Sequence, residues 1–251
     1  MGMLDGKTIL VTGGTSGIGT ETLRVAVREG ARVAFTGRRA DRGAEVVSEL
    51  EGMGAEALYI QGDAAKEADC QRMVAETVAK FGTLDGAFNN AGVEGMMAPT
   101  TEQTEENYRF TFDINVLGVL LSMKHEIPEL LKSGGSIVNN ASIAGLIGMP
   151  GGTVYFGTKH AVNGMTKCAA LELAQQGVRV NAVCPGGVET EMYDRFVGGD
   201  EEAKAGFDAM HPMGRVGTPI EIAELVVWLL SDKASFITGQ CIAADGGFVA
   251  S

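Results

Sequence analysis

Several chemistries are excluded by what this chain has little of. Its four cysteines, Cys70, Cys168, Cys184 and Cys241, match no CxxC or zinc-ligand spacing. That argues against a disulfide framework and favours buried thiols in a reducing, cytoplasmic compartment. Its three histidines, His125, His160 and His211, stand far apart, so no metal site is predicted. No GxSxG is present for a serine hydrolase. Lys and Arg number 20 against 32 Asp and Glu, a net charge of −12 without any basic block. A surface of that sign disfavours nucleic acid and anionic membranes as partners. No apolar run reaches the roughly 18 residues of a membrane span. The start, MGMLDGKTILVTGG, has no leader-like stretch before a small-residue cleavage site. Prolines number only six against 36 glycines. The glycines stand singly or in pairs at the ends of apolar runs, where turns belong.

What is present is a regular alternation. Short β-branched runs at 7–12, 31–36, 56–61, 84–89, 136–141, 178–183 and 240–245 read as seven buried strands. Between them lie helical patterns near 17–29, 40–53, 66–81, 103–132, 153–176 and 219–231. This order predicts an α/β fold, a doubly wound, seven-stranded parallel sheet with helices on both faces. A length of 251 residues suits one such domain, spanning 1–251. Residues 187–217, GVETEMYDRFVGGDEEAKAGFDAMHPMGRVG, break the rhythm. A weakly patterned segment of that length reads as a substrate lid with short helices and a hinge at Gly198-Gly199.

The chemistry-bearing motifs sit at strand ends. TILVTGGTSGIG (8–19) places glycines between the first strand and the first helix, where a backbone can approach a pyrophosphate at a helix N-terminus. The second strand ends in Gly37-Arg38-Arg39, where an acidic residue would bond a ribose 2′-hydroxyl. Guanidinium groups there favour a 2′-phosphate, although two arginines at a loop start also fit a solvated surface. Asp63 follows the third strand and fits either an adenine contact or a helix cap. FNNAG (88–92) follows the fourth. Asn115, a poor helix former inside a helical pattern, points to a local distortion or a polar task. Ser142 lies just past the fifth strand. In YFGTK (155–159), Tyr155 and Lys159 share a helical face one turn apart. An ammonium there lowers a phenol's pKa and makes it a proton donor near neutrality.

In this order and spacing the motifs resemble the short-chain dehydrogenase/reductase family, from Lys7 to about Gly247. The lid pattern is most similar to members acting as glucose or cyclic-diol dehydrogenases. The resemblance implies a single Rossmann-fold domain and hydride transfer between a nicotinamide and a carbonyl or secondary alcohol, a small molecule. It implies Tyr155 as acid/base, Ser142 orienting the substrate oxygen, and Lys159 on the ribose and the phenol. Asn115 would hold a relay water. Gly13, Thr15, Ser16, Gly17, Ile18 and Gly19 would form the dinucleotide turn, with Asp63 and Ala64 at the adenine. Asn90, Ala91 and Gly92 would flank the adenosine, and Pro185, Gly186, Val188 and Thr190 the nicotinamide end. Gly37, Arg38 and Arg39 favour NADP over NAD. The family also includes non-catalytic dinucleotide-binding regulators, but those usually lose the Tyr or Lys that this chain keeps. A homotetramer is expected, from the family and from apolar positions at Leu117, Leu120, Leu121, Met123, Ala161, Met165, Ala169, Leu173, Phe248 and Val249.

Overall fold

The computed structural model describes residues 2–250. The chain runs from β1 (Thr8–Thr12) through a glycine-rich turn to α1 (Gly17–Arg28), then β2 (Arg32–Gly37), α2 (Ala40–Gly52), β3 (Ala57–Gln61), α3 (Glu67–Phe81) and β4 (Gly86–Asn89). The second half holds α4 (Glu105–Phe112), α5 (Gly118–Leu130), β5 (Gly135–Asn140), α6 (Thr153–Leu173) and β6 (Val178–Pro185). It closes with α7 (Glu191–Val197), α8 (Glu201–Ala209), α9 (Pro219–Leu230) and β7 (Cys241–Ala244).

The strands form one parallel sheet in the order β3-β2-β1-β4-β5-β6-β7. Both faces are covered, which is why the strands read as continuous apolar runs rather than alternating ones. In β1, Ile9 and Val11 pack into the layer beneath α1 and α9, while Leu10 packs into the opposite layer beneath α3, α5 and α6. The strand order reverses between β1 and β4, where Thr12 stands opposite Asn89. At such a reversal the two neighbouring connections leave on opposite faces and open a crevice at the carboxyl edge of the sheet. The chain is thus a single α/β domain, as the alternation predicts.

The structure differs from the sequence reading in four places. The expected helix at 103–132 is two helices joined by a π turn at Asp113–Leu117, centred on Asn115. The helix expected to reach 176 ends at Leu173 and tightens into a 3₁₀ turn. Of the apolar positions expected to be uncovered, Leu121, Met123, Ala169 and Leu173 belong to the core. Leu117 and Leu120 are exposed, as is Phe110 about two turns earlier. Cys168 is exposed rather than buried. Within residues 187–217 lie the short helices α7 and α8, separated by Gly198 and Gly199, both at positive φ. Among the described residues no helix is long and apolar enough to cross a membrane, and no cluster of three metal-ligating side chains is found.

Candidate active site

The crevice at the reversal is built from hydrogen bonds between loops. Thr12 Oγ1 accepts from the backbone N–H groups of Asn90 (2.9 Å) and Ala91 (3.1 Å). The Asn90 amide donates to the carbonyls of Thr12 and Gly13, and Asn140 Nδ2 donates to Asn90 Oδ1 at 2.9 Å. These contacts lock the ends of β1, β4 and β5 into one rigid edge. A cleft of about 390 Å³ lies along it, lined by Gly13, Thr15, Ser16, Gly17, Ile18, Gly37, Arg38, Arg39, Asp63, Ala64, Asn90, Ala91, Gly92 and Thr190. Gly19 does not line it but makes it possible: a Cβ there would sit 2.3 Å from the Gly13 carbonyl oxygen. Gly17 opens α1 at φ +54°, a conformation that L side chains resist. Ser16 makes no side-chain cap, and the first residues of α1, Gly17 and Ile18, border the cleft, a helix start suited to an anion.

The remaining predicted contacts have other tasks as well. Asp63 Oδ1 accepts from the Ala65 N–H at 3.1 Å and does not cap α3. The Arg39 guanidinium is shared between Glu191 at 3.3 Å and the Thr15 carbonyl at 3.4 Å. Arg38 is exposed on the rim, and no protein partner for its guanidinium is found among the described residues. A Cβ at Gly37 would lie 2.5 Å from Thr15 Cγ2, so packing as well as ligand choice demands glycine there.

A second cleft of about 180 Å³ shares Ile18, Asn90, Gly92, Asn140, Thr190 and Met192 with the first. It holds Ser142, Tyr155 and Lys159, together with Pro185, Gly186 and Val188. Its other walls are largely apolar, including Met97, Ile143, Met149, Phe156, Phe196 and Phe207. Lys159 Nζ donates to the Asn140 carbonyl at 2.8 Å and lies 5.6 Å from the centre of the Tyr155 ring. Burial pulls the Lys159 ammonium down to about 8. The sequence reading had Lys159 lowering the phenol. On the protein's own groups the net effect is the reverse: burial pushes Tyr155 up to about 12, with the Ser142 hydrogen bond pulling down and the Glu94 charge adding to the rise.

Asn115 lies outside both clefts but braces them. Its Nδ2 donates to the Val93 carbonyl (2.8 Å) and to Thr158 Oγ1 (3.2 Å), and its Oδ1 accepts from the Val93 N–H (2.8 Å). Both donor hydrogens are occupied by protein, so the side chain offers none to a relay water. The π turn delivers this buried amide between the β4 loop and α6. The sequence reading missed two features. Glu94, on the β4 loop, forms a fork with Arg195 of α7. The buried His211 accepts from the Gly187 N–H at 3.0 Å and contacts the Phe207 carbonyl through its other nitrogen. Neither carries a local motif.

A family model described as enoyl-(acyl carrier protein) reductase matches residues 13–249. The chain is 46% identical, over the full length of both proteins, to a 2,5-dichloro-2,5-cyclohexadiene-1,4-diol dehydrogenase of Sphingobium indicum. The chain belongs to the short-chain dehydrogenase/reductase family. The same chain is 40% identical to a cyclohexanol dehydrogenase of an Acinetobacter species, over 96% of its own length and 94% of the relative's. A solved levodione reductase superposes with a TM-score of 0.95 at 32% identity, covering 99% of each chain. It is therefore an NAD(P)-dependent oxidoreductase acting on alcohols or carbonyls. The glycine-lined cleft fits such a dinucleotide on its own geometry: the collision awaiting any side chain at Gly19 and the uncapped start of α1 suit a pyrophosphate.

Proposed function

We propose that this dehydrogenase transfers a hydride between nicotinamide C4 and the carbinol carbon of a cyclic, largely apolar secondary alcohol. The observation that carries the reading is the meeting of Ser142, Tyr155 and Lys159 in one apolar cleft that adjoins the glycine-lined one. The bound dinucleotide supplies the hydride acceptor or donor. In oxidation the substrate hydroxyl gives its proton to Tyr155 Oη as the C–H electrons leave with the hydride; in reduction Tyr155 returns that proton to the carbonyl oxygen. Ser142 donates to the same oxygen. Lys159, with one N–H on the Asn140 carbonyl, keeps two for the nicotinamide ribose. Asn115 positions the β4 loop against α6.

NADP is the favoured dinucleotide, because Arg38 stands on the rim with its charge uncommitted. Residues 187–217 act as a lid hinged at Gly198-Gly199, and Tyr193, Phe196 and Phe207 form its apolar underside. The working unit is a homotetramer. The exposed stripe Phe110, Leu117 and Leu120 and the smooth face of α6 at Ala161, Gly164 and Leu171 support that assembly. The dehydrogenases of cyclic alcohols among the relatives support the substrate class.

The test is a panel of cyclic alcohols and ketones assayed with both dinucleotides, on the wild type and on Tyr155→Phe. The variant should keep dinucleotide binding and lose at least about a hundredfold in kcat. Near-normal turnover in the variant overturns the assignment of Tyr155.

A further inference from the structure

The walls of the substrate cleft are broken by a single carboxylate among the described residues, that of Glu94. Glu94 sits two residues beyond Gly92, and its side chain is 23% exposed. Arg195 Nε donates to its Oε1 at 2.7 Å and Arg195 Nη2 to its Oε2 at 3.1 Å. Arg195 itself lines the dinucleotide cleft and not the substrate cleft. The pair therefore straddles the junction, with the carboxylate on the substrate side. Burial raises the Glu94 pKa, but the Arg195 hydrogen bond, the residue's own backbone N–H and the Arg195 charge outweigh it and hold the carboxyl below its ordinary value. Glu94 is an anion at neutral pH, near enough that its charge acts on the Tyr155 phenol.

An ionised carboxylate accepts about four hydrogen bonds. Arg195 supplies two and the backbone one, so acceptor capacity is left over in an apolar cleft, where an under-satisfied anion is costly. Only a donor relieves that cost. A carbonyl, ether or halogen at this place sets electron density against the anion, whereas a hydroxyl donates to it. We propose that Glu94 accepts a hydrogen bond from a second hydroxyl of the substrate, making diols and hydroxyketones the preferred class over simple alcohols and ketones. This rests on the reading above that Ser142 and Tyr155 take the reacting oxygen. The second hydroxyl takes no part in the redox step and leaves unchanged in the product.

The experiment compares kcat/KM for cyclohexane-1,2-diol and cyclohexane-1,4-diol with that for cyclohexanol, in wild type, Glu94→Gln and Arg195→Met. The wild type should favour at least one diol over cyclohexanol. In Glu94→Gln that ratio should fall by at least about tenfold, the usual scale for a hydrogen bond to a charged group. Arg195→Met breaks the same ion pair but leaves Glu94 in the cleft; because losing Arg195 lets burial raise the Glu94 pKa, all three proteins are compared at pH 9, where the carboxyl is ionised and the ratio in this variant should stay within about threefold of wild type. Circular dichroism and the thermal midpoint verify that each variant is folded. Turnover of none of the three alcohols by the wild type overturns the reading of the site, and the inference with it. Turnover with no diol preference, or with a ratio unchanged in Glu94→Gln, overturns the inference alone. An equal fall in both variants does so too, because it would make Glu94 only a tether for α7.

Discussion

Glu126 of α5 is fully buried and belongs to neither cleft. Its Oε2 accepts from Asn89 Nδ2 at 3.1 Å, while its Oε1 and Asn89 Oδ1 have no hydrogen-bond partner among the described residues. Burial pushes its pKa from the ordinary 4.5 up to about 8, with the Asn89 hydrogen bond pulling down. An acid whose folded pKa is raised lends its full stability below the unfolded value and loses it as pH climbs towards the folded one. At about 1.4 kcal/mol per pH unit, the penalty approaches roughly 3 kcal/mol at pH 7 and levels off near 5 kcal/mol above pH 8, both upper limits. Glu126→Gln keeps the shape and the acceptor, supplies an N–H, and cannot ionise. The measurement is the thermal midpoint of both proteins at equal concentration from pH 5 to pH 9, which keeps any assembly equilibrium common to the two. For a chain of this size each kcal/mol moves the midpoint by roughly 2 °C or more. The variant should therefore melt above wild type by up to roughly 6–12 °C at pH 7, and by about 2 °C or less at pH 5. A difference that does not change with pH, or a variant less stable at pH 8, would refute the reasoning.

Because burial raises Tyr155 to about 12, alcohol oxidation with Tyr155 as the proposed base should accelerate steadily from pH 7 to pH 10, while carbonyl reduction should not; a flat oxidation profile contradicts this. Arg38→Ala should weaken NADP relative to NAD by roughly tenfold in competitive titrations, and an unchanged ratio would return Arg38 to the role of a surface charge. Light scattering at micromolar concentration should give about four times the 26.2 kDa of one chain, and Leu120→Glu should lower that mass; a monomeric wild type would remove the case for assembly.

The parts legible in the sequence are those whose physics is local. The glycine turn, the strand runs and the one-turn spacing of Tyr155 and Lys159 each constrain a few consecutive residues. Asn115 was legible in kind: a poor helix former in a helical pattern marked a distortion, and the chain makes a π turn there. What escaped depends on distant partners. Glu94 and Arg195 are 101 residues apart, and each alone reads as a surface charge. Glu126 shares a helical stripe with the buried Val119, Met123 and Leu130, but a carboxylate in such a stripe is ordinarily expected in solvent, and its burial depends on the packing around it. The direction of the Tyr155 shift was missed for a related reason: proximity to Lys159 can be read from spacing, whereas depth of burial cannot.

The π turn at Asp113–Leu117 has a geometric consequence for the helices on either side. A helix accommodating one extra residue in a turn is rotated by about 100° relative to its uninterrupted continuation. The turn thus works as a phase shifter between α4 and α5. Upstream, the buried Asn107 and Thr111 set the angle of α4; downstream, Val119, Ser122 and Glu126 set that of α5. Both azimuths can be met only while the offset between them is kept. Removing one residue from 113–117 would let the backbone relax to an ordinary α-helix. It would also turn one segment away from its docking surface and swing the Asn115 amide off Val93 and Thr158. A single-residue deletion at this point should therefore disturb the cleft more than a bulky substitution on the same helices' solvent side, although it removes no group that would touch the substrate.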